Sequence, residues 1–108
     1  MSKNWLREDE YIVLEGKVWV WIKGPLGPNL TKSRLFLTNY RLYGKDALFR
    51  IKLFDFPLDS ITKIESTKKY LRIEAEVKGR KHKIDLSQKN LDGSWEWMIK
   101  ERIKAFDR

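Results

Sequence analysis

Apolar and polar residues alternate one for one along most of the chain, the mark of strands that turn one face to a core and one to water. "GKVWVWIK" at 16–23 alternates cleanly. "RLFLTNYRLYGK" at 34–45 holds two alternating runs on either side of Thr38-Asn39. Strands over 32–38 and 40–45 are therefore predicted, joined at Asn39, a residue that tolerates the positive φ of a tight hairpin turn. "ALFRIKLFDF" at 47–56 predicts a strand stopped by Pro57, and "SITKIES" (60–66), "YLRIEAEV" (70–77) and "HKIDL" (82–86) predict three more. Gly79-Arg80 marks the turn between the last two, and "GPLGPNL" at 24–30 predicts a loop. Strands this short and closely spaced make an all-β barrel or sandwich of about seven strands.

From Asn90 the period becomes helical. Trp95, Ile99, Ile103 and Phe106 fall at i, i+4, i+8 and i+11, with Met98 beside them, so 91–106 predicts an amphipathic helix. Asp92 and Ser94 are both suitable N-caps. Lys100, Arg102 and Lys104 sit late in the helix, where cations oppose its dipole. A helix with one apolar stripe, following seven strands, is expected to close the open end of the barrel. Trp97 lies about 200° round from Trp95 and off the stripe.

Strand parity sorts the side chains further. Val18, Val20, Ile22, Leu35, Leu37 and Leu42 share the predicted core face. The opposite face carries Lys17, Trp19, Trp21 and Lys23, then Lys32, Arg34 and Phe36, then Arg41, Tyr43 and Lys45. It reads as a basic, aromatic outer sheet face with Trp19, Trp21, Phe36, Arg41 and Tyr43 as a candidate interaction surface. Three readings of it stay open. Aromatic platforms between cations suit single-stranded nucleic acid. Trp and Lys together suit a membrane interface. Or the aromatics are covered, by the N-terminal segment around Trp5 and Tyr11 or by a second copy of the chain. A bulge turning the Trp residues inward would dissolve all three.

Composition narrows the classes. With 108 residues, 42% of them hydrophobic, the chain suits one domain: an N-terminal segment 1–15, strands over 16–86 and the helix 91–106. Lys plus Arg number 23 against 15 Asp plus Glu, a net charge of +8 that favours anionic partners. Many Lys, Arg and Glu with few amides are compatible with a thermophilic source. There is no cysteine, which excludes disulfides and thiolate chemistry. The only histidine, His82, reads as structural or solvated. No nucleophile–base set, phosphate-cradling Gly pattern or metal-ligand spacing is visible, so neither an enzyme nor a cofactor or metal is expected. The carboxylates Glu8, Asp9, Glu10 and Glu15 read as a solvated acidic cluster. The charged N-terminus lacks an apolar signal core, and a cytoplasmic location is expected.

Seven short strands and a Trp-bearing C-terminal helix resemble the pleckstrin-homology-like superfold. "RLFLTNYRL" is similar to its GRAM-type pattern, an apolar strand ending in Leu-Thr-Asn and followed by Arg-Leu. "FDFPLDSITKIE" at 54–65 is similar to the second landmark, where one sheet passes to the other. The resemblance covers about residues 10–106 and implies a mainly β barrel of two packed antiparallel sheets closed by one helix. That superfold hosts lipid binders, peptide binders and scaffolds, so fold alone leaves function open. Phosphoinositide-binding members often carry Lys at the end of the first strand and basic-x-Arg at the start of the second, around a loop that wraps the headgroup. Lys23 and Lys32-Ser33-Arg34 match that pattern, although the intervening loop has no basic residue and carries Leu26 and Leu30. The resemblance implies a non-catalytic module binding anionic lipid or a membrane surface through Lys23, Lys32 and Arg34, peripheral to the membrane. A protein-interaction or self-association module using the Trp19/Trp21 face is the alternative, and nucleic-acid binding the third.

Overall fold

The alternating runs form seven strands: β1 (Ile12–Gly24), β2 (Gly27–Thr38), β3 (Arg41–Asp46), β4 (Lys52–Pro57), β5 (Ile61–Ser66), β6 (Tyr70–Val77) and β7 (Arg80–Ser87). They are followed by one helix, α1 (Ser94–Phe106). The computed structural model describes residues 5–24 and 27–106, without the side chains at 23, 24, 27, 28 and 90. The strands pair antiparallel in the order β4-β3-β2-β1-β7-β6-β5. β1 joins the two halves, because Val20–Ile22 also pairs with Leu86–Ile84 of β7. The sheet folds over into a sandwich whose edge strands, β4 and β5, do not meet in the pairing order.

The core is the inward set of the alternation. Val18, Val20, Leu35, Leu37 and Leu42 are buried with Phe54, Phe56, Leu71, Ile73 and Leu86. Gly44 allows the closest approach in it: a Cβ there would stand 2.0 Å from the Phe54 ring, so the ring lies on bare backbone. α1 packs on the Leu58–Ser60 turn and on β5. Its stripe is the predicted one, with Trp95 and Ile99 buried, Met98, Ile103 and Phe106 packed against the core, and Trp97 60% exposed. Trp95 covers Gly16, where a Cβ would lie 3.4 Å from the indole. The helix starts later than the periodicity suggests, at Ser94, with the Asp92 carboxylate accepting from the Ser94 N–H at 3.0 Å.

Four local expectations are corrected. The predicted loop at 24–30 is largely hairpin: β1 and β2 stay in register from Leu14↔Leu37 to Gly24↔Gly27. Pairing supplied by the long first strand overrides the Gly and Pro signals. The predicted strand at 47–56 begins only at Lys52. The Asp46 carboxylate accepts from the N–H of Leu48 and of Phe49, and Arg50 takes a φ of 60°, so the preceding residues form a closed turn. Asn39 is not among the positive-φ residues. Among the described residues those are Arg50, Lys78 and Gly79, the last two making the β6–β7 turn one residue earlier than predicted.

Candidate anion-binding face

The outer face of β1–β4 divides into two regions. At one end the N-terminal segment lies across it, as one of the open readings has it. Trp5 stacks on Tyr43 at 4.4 Å and meets Phe36 at 5.1 Å, and both covered rings are buried. Arg41 holds the segment down. Its Nε and Nη2 donate to Glu10, both at 2.9 Å, Nη2 also donates to the Trp5 carbonyl, and Nη1 donates to Asp55. Thr38 Oγ1 donates to Glu10 at 2.6 Å and accepts from the N–H groups of Tyr40 and Arg41. Asn39 accepts from the Tyr11 N–H and donates to the Asp9 carbonyl. The Tyr40 hydroxyl donates to the Asp9 carboxylate. The Leu-Thr-Asn-x-Arg pattern is therefore a clamp for residues 5–11.

This overturns the solvated acidic cluster at Glu10, whose side chain is wholly buried. Burial alone would push its carboxyl up. The bonds from Arg41, Thr38 and the Arg7 N–H outweigh burial and hold it below the ordinary carboxylate range. The bond to Glu10 holds Arg41 above its ordinary value, and burial pushes the Tyr43 hydroxyl up.

The other end is bare. Lys17 stands opposite Arg34, Arg34 opposite Lys45, and Lys45 opposite Lys52, one row of cations across four adjacent strands. Next to it, Trp19 stands opposite Lys32. None of these cations makes an ion pair among the described residues, whereas Arg41 makes two. The buried Ser33 hydroxyl, 2.9 Å from the Arg34 carbonyl and 3.2 Å from that of Lys45, pins the backbone beneath the row. Beyond Trp19 an open groove of about 490 Å³ runs between Lys17, Trp19, Leu30 and Lys32 on one side and Leu48 and Phe49 on the other.

The predicted site residues are distributed across this division. Lys32 and Arg34 lie on the bare end, one in the groove and one in the row. Lys23 pairs with Pro28, four residues along β1 from Trp19 and so about 13 Å away; its side chain lies outside the described residues, as does Leu26. Most of the stretch expected to wrap a headgroup is paired strand instead, since the strands run on to Gly24 and from Gly27. Trp19 is exposed and Trp21 half-buried. Phe36, Arg41 and Tyr43 belong to the covered end. Lys52 and the turn residues Leu48, Phe49 and Ile51 were missed, because a strand predicted through 47–56 hides the turn. Once that turn is located, counting back across the hairpins brings the four cations into one row.

No family model and no curated protein sequence matches the chain. Its fold is similar to solved structures. One is the C-terminal domain of an unknown protein from Leishmania infantum (TM-score 0.62, 15% identity, 87% of this chain and 85% of that one). Another is a chain from the complex of human RhoA with the DH/PH fragment of PDZRHOGEF (0.65, 13%, 89% of this chain and 29% of that one). A third is the hSac2 domain of human phosphoinositide phosphatase Sac2 (0.59, 16%, 97% and 75%). Likeness at such identities is one of fold, and the fold is pleckstrin-homology-like.

Proposed function

We propose that the chain is a non-catalytic, GRAM-type binding module that docks reversibly on an anionic membrane surface through the bare end of its outer face, as a cytoplasmic protein peripheral to the membrane. The observation that supports this reading is the row Lys17–Arg34–Lys45–Lys52. Like charges directly opposite one another oppose strand pairing by roughly 0.2–1 kcal/mol per pair. An anionic surface facing the row relieves that repulsion. Each cation near an anionic membrane contributes about 1 kcal/mol, so four give on the order of 4 kcal/mol, or millimolar affinity, which suits reversible docking. The neighbouring exposed side chains favour lipid over nucleic acid. Bases stack on aromatic rings, of which Trp19 and Phe49 are exposed here, but the aliphatic Leu30, Leu48 and Ile51 outnumber them and suit hydrocarbon.

Cosedimentation with vesicles tests the reading. The protein is expected to pellet with vesicles of phosphatidylcholine and phosphatidylserine and not with phosphatidylcholine alone. Binding should weaken as salt rises, because exposed charges are screened beyond about 10 Å at 0.1 M. Replacing Arg34 and Lys45 together by Glu should abolish it. No binding to anionic vesicles at low salt overturns the reading, and tighter binding to a single-stranded oligonucleotide transfers the row to the nucleic-acid reading.

A further inference from the structure

The turn between β3 and β4 is the most apolar exposed segment among the described residues. Leu48 is 78% exposed, Phe49 70% and Ile51 63%. Three large apolar side chains standing almost free in water oppose solubility and contribute little to the core. Their backbone is nevertheless bonded into a closed turn. The Asp46 N–H donates to the Ile51 carbonyl at 2.8 Å, the Ala47 N–H to the Lys32 carbonyl at 3.0 Å, and the Arg50 N–H to the Asp46 carbonyl at 3.0 Å. The Leu48 and Phe49 N–H groups donate to the Asp46 carboxylate at 2.8 and 2.7 Å. All five consecutive amide N–H groups from Asp46 to Arg50 are thus bonded inside the protein. For a segment leaving water this removes a main obstacle, because an unbonded N–H in hydrocarbon is costly.

Resting on the membrane reading above, we propose that Leu48-Phe49-Arg50-Ile51 is an insertion tip that enters the apolar side of the membrane interface while the cation row stays at the headgroups. Charge placement fits a bilayer. Lys45 and Lys52 stand opposite each other at the base of the tip, and Arg50 lies within it. Their long side chains can reach back to phosphates while the apolar residues go deeper. The only carboxylate in the segment 45–52 is Asp46, already engaged by two amides. Trp19 and Leu30, across the groove from Leu48 and Phe49, sit where an interfacial belt would lie. A second copy docking tip to tip would bring Lys45, Arg50 and Lys52 of both chains together, and like charge opposes that contact.

The chain has no cysteine, so a single Phe49→Cys variant can carry a polarity-sensitive fluorophore at the tip, with Lys68→Cys in the β5–β6 turn as the control. With phosphatidylserine-containing vesicles, the label at 49 should shift to the blue and be quenched by lipids brominated on the acyl chains, and the label at 68 should do neither. Separately, replacing Leu48 and Phe49 together by Ser should weaken vesicle binding at least about tenfold and leave the melting midpoint unchanged. Two outcomes overturn insertion alone: wild-type binding with the label at 49 unshifted and unquenched, or a double Ser variant that binds like wild type. In both, the electrostatic docking reading survives. A blue shift at 49 that grows with protein concentration in the absence of vesicles overturns insertion in favour of self-association. If wild type ignores anionic vesicles, the docking reading itself fails and the tip proposal with it.

Discussion

Arg41 and Arg34 lie on adjacent strands of one sheet face, and their surroundings are opposite. Every guanidinium nitrogen of Arg41 donates, to Glu10, Asp55 and the Trp5 carbonyl. Arg34 stands between Lys17 and Lys45 and makes no ion pair among the described residues. Aromatic and basic residues alternate in the same way at both ends, so residue type does not separate them. What separates them is the N-terminal segment, which brings Glu10 and Trp5 to one end only. That end becomes part of the folded core, and the other keeps its cations and apolar side chains for a partner.

The contrast breaks most visibly at the two arginines. Arg41→Ala leaves the Glu10 carboxylate buried without its cation and is expected to cost about 3–5 kcal/mol, read by urea denaturation. Arg34→Ala should stay within about 0.5 kcal/mol of wild type. Similar losses at the two sites would erase the distinction.

The two tryptophans sharpen it further. Trp5→Ala uncovers Phe36 and Tyr43 and should cost about 2–3 kcal/mol. Trp19→Ala, at a more exposed ring, should cost about 1 kcal/mol or less. The same denaturation series reports both.

Acid should loosen the covered end. Glu10 has its folded value held below the unfolded one of about 4.3. Its contribution to stability is therefore complete above about pH 5 and lost as pH falls through the folded value, the unfolded chain binding the proton more readily. The stability gap between wild type and Glu10→Gln should be widest near neutrality and close in strong acid. A gap independent of pH would mean that Glu10 does not depend on its charge.

The smallest effect belongs to the bare end. Arg34→Gln removes two like-charge contacts and should stabilise the protein by a few tenths of a kcal/mol at low salt. The gain should vanish as salt rises. A loss of stability instead would show that Arg34 has a structural partner.

Much of the fold was legible because strand and helix periods are local. Alternation placed Val18, Val20, Leu35, Leu37 and Leu42 in the core, and the stripe through Trp95 and Ile99 named the buried side of the helix. The site was legible only in part. Lys32 and Arg34 were placed on the outer face correctly, but the loop they were expected to flank is hairpin. The 47–51 turn escaped notice because Leu48, Phe49 and Ile51 look like strand residues. Only the Asp46 cap and the positive φ at Arg50 show otherwise.

The sequence by itself determined which residues point to the same side of each strand, since that depends only on counting by two along one chain. It did not determine which strand residues stand opposite one another, because register depends on where each turn closes. Nor did it decide whether the N-terminal segment or a second copy of the chain covers the outer face; Glu10 and Trp5, thirty to forty residues before Arg41 and Tyr43, cover one half of it. A burial of that kind is decided by the space left between elements far apart in the chain, and only the tertiary structure contains it.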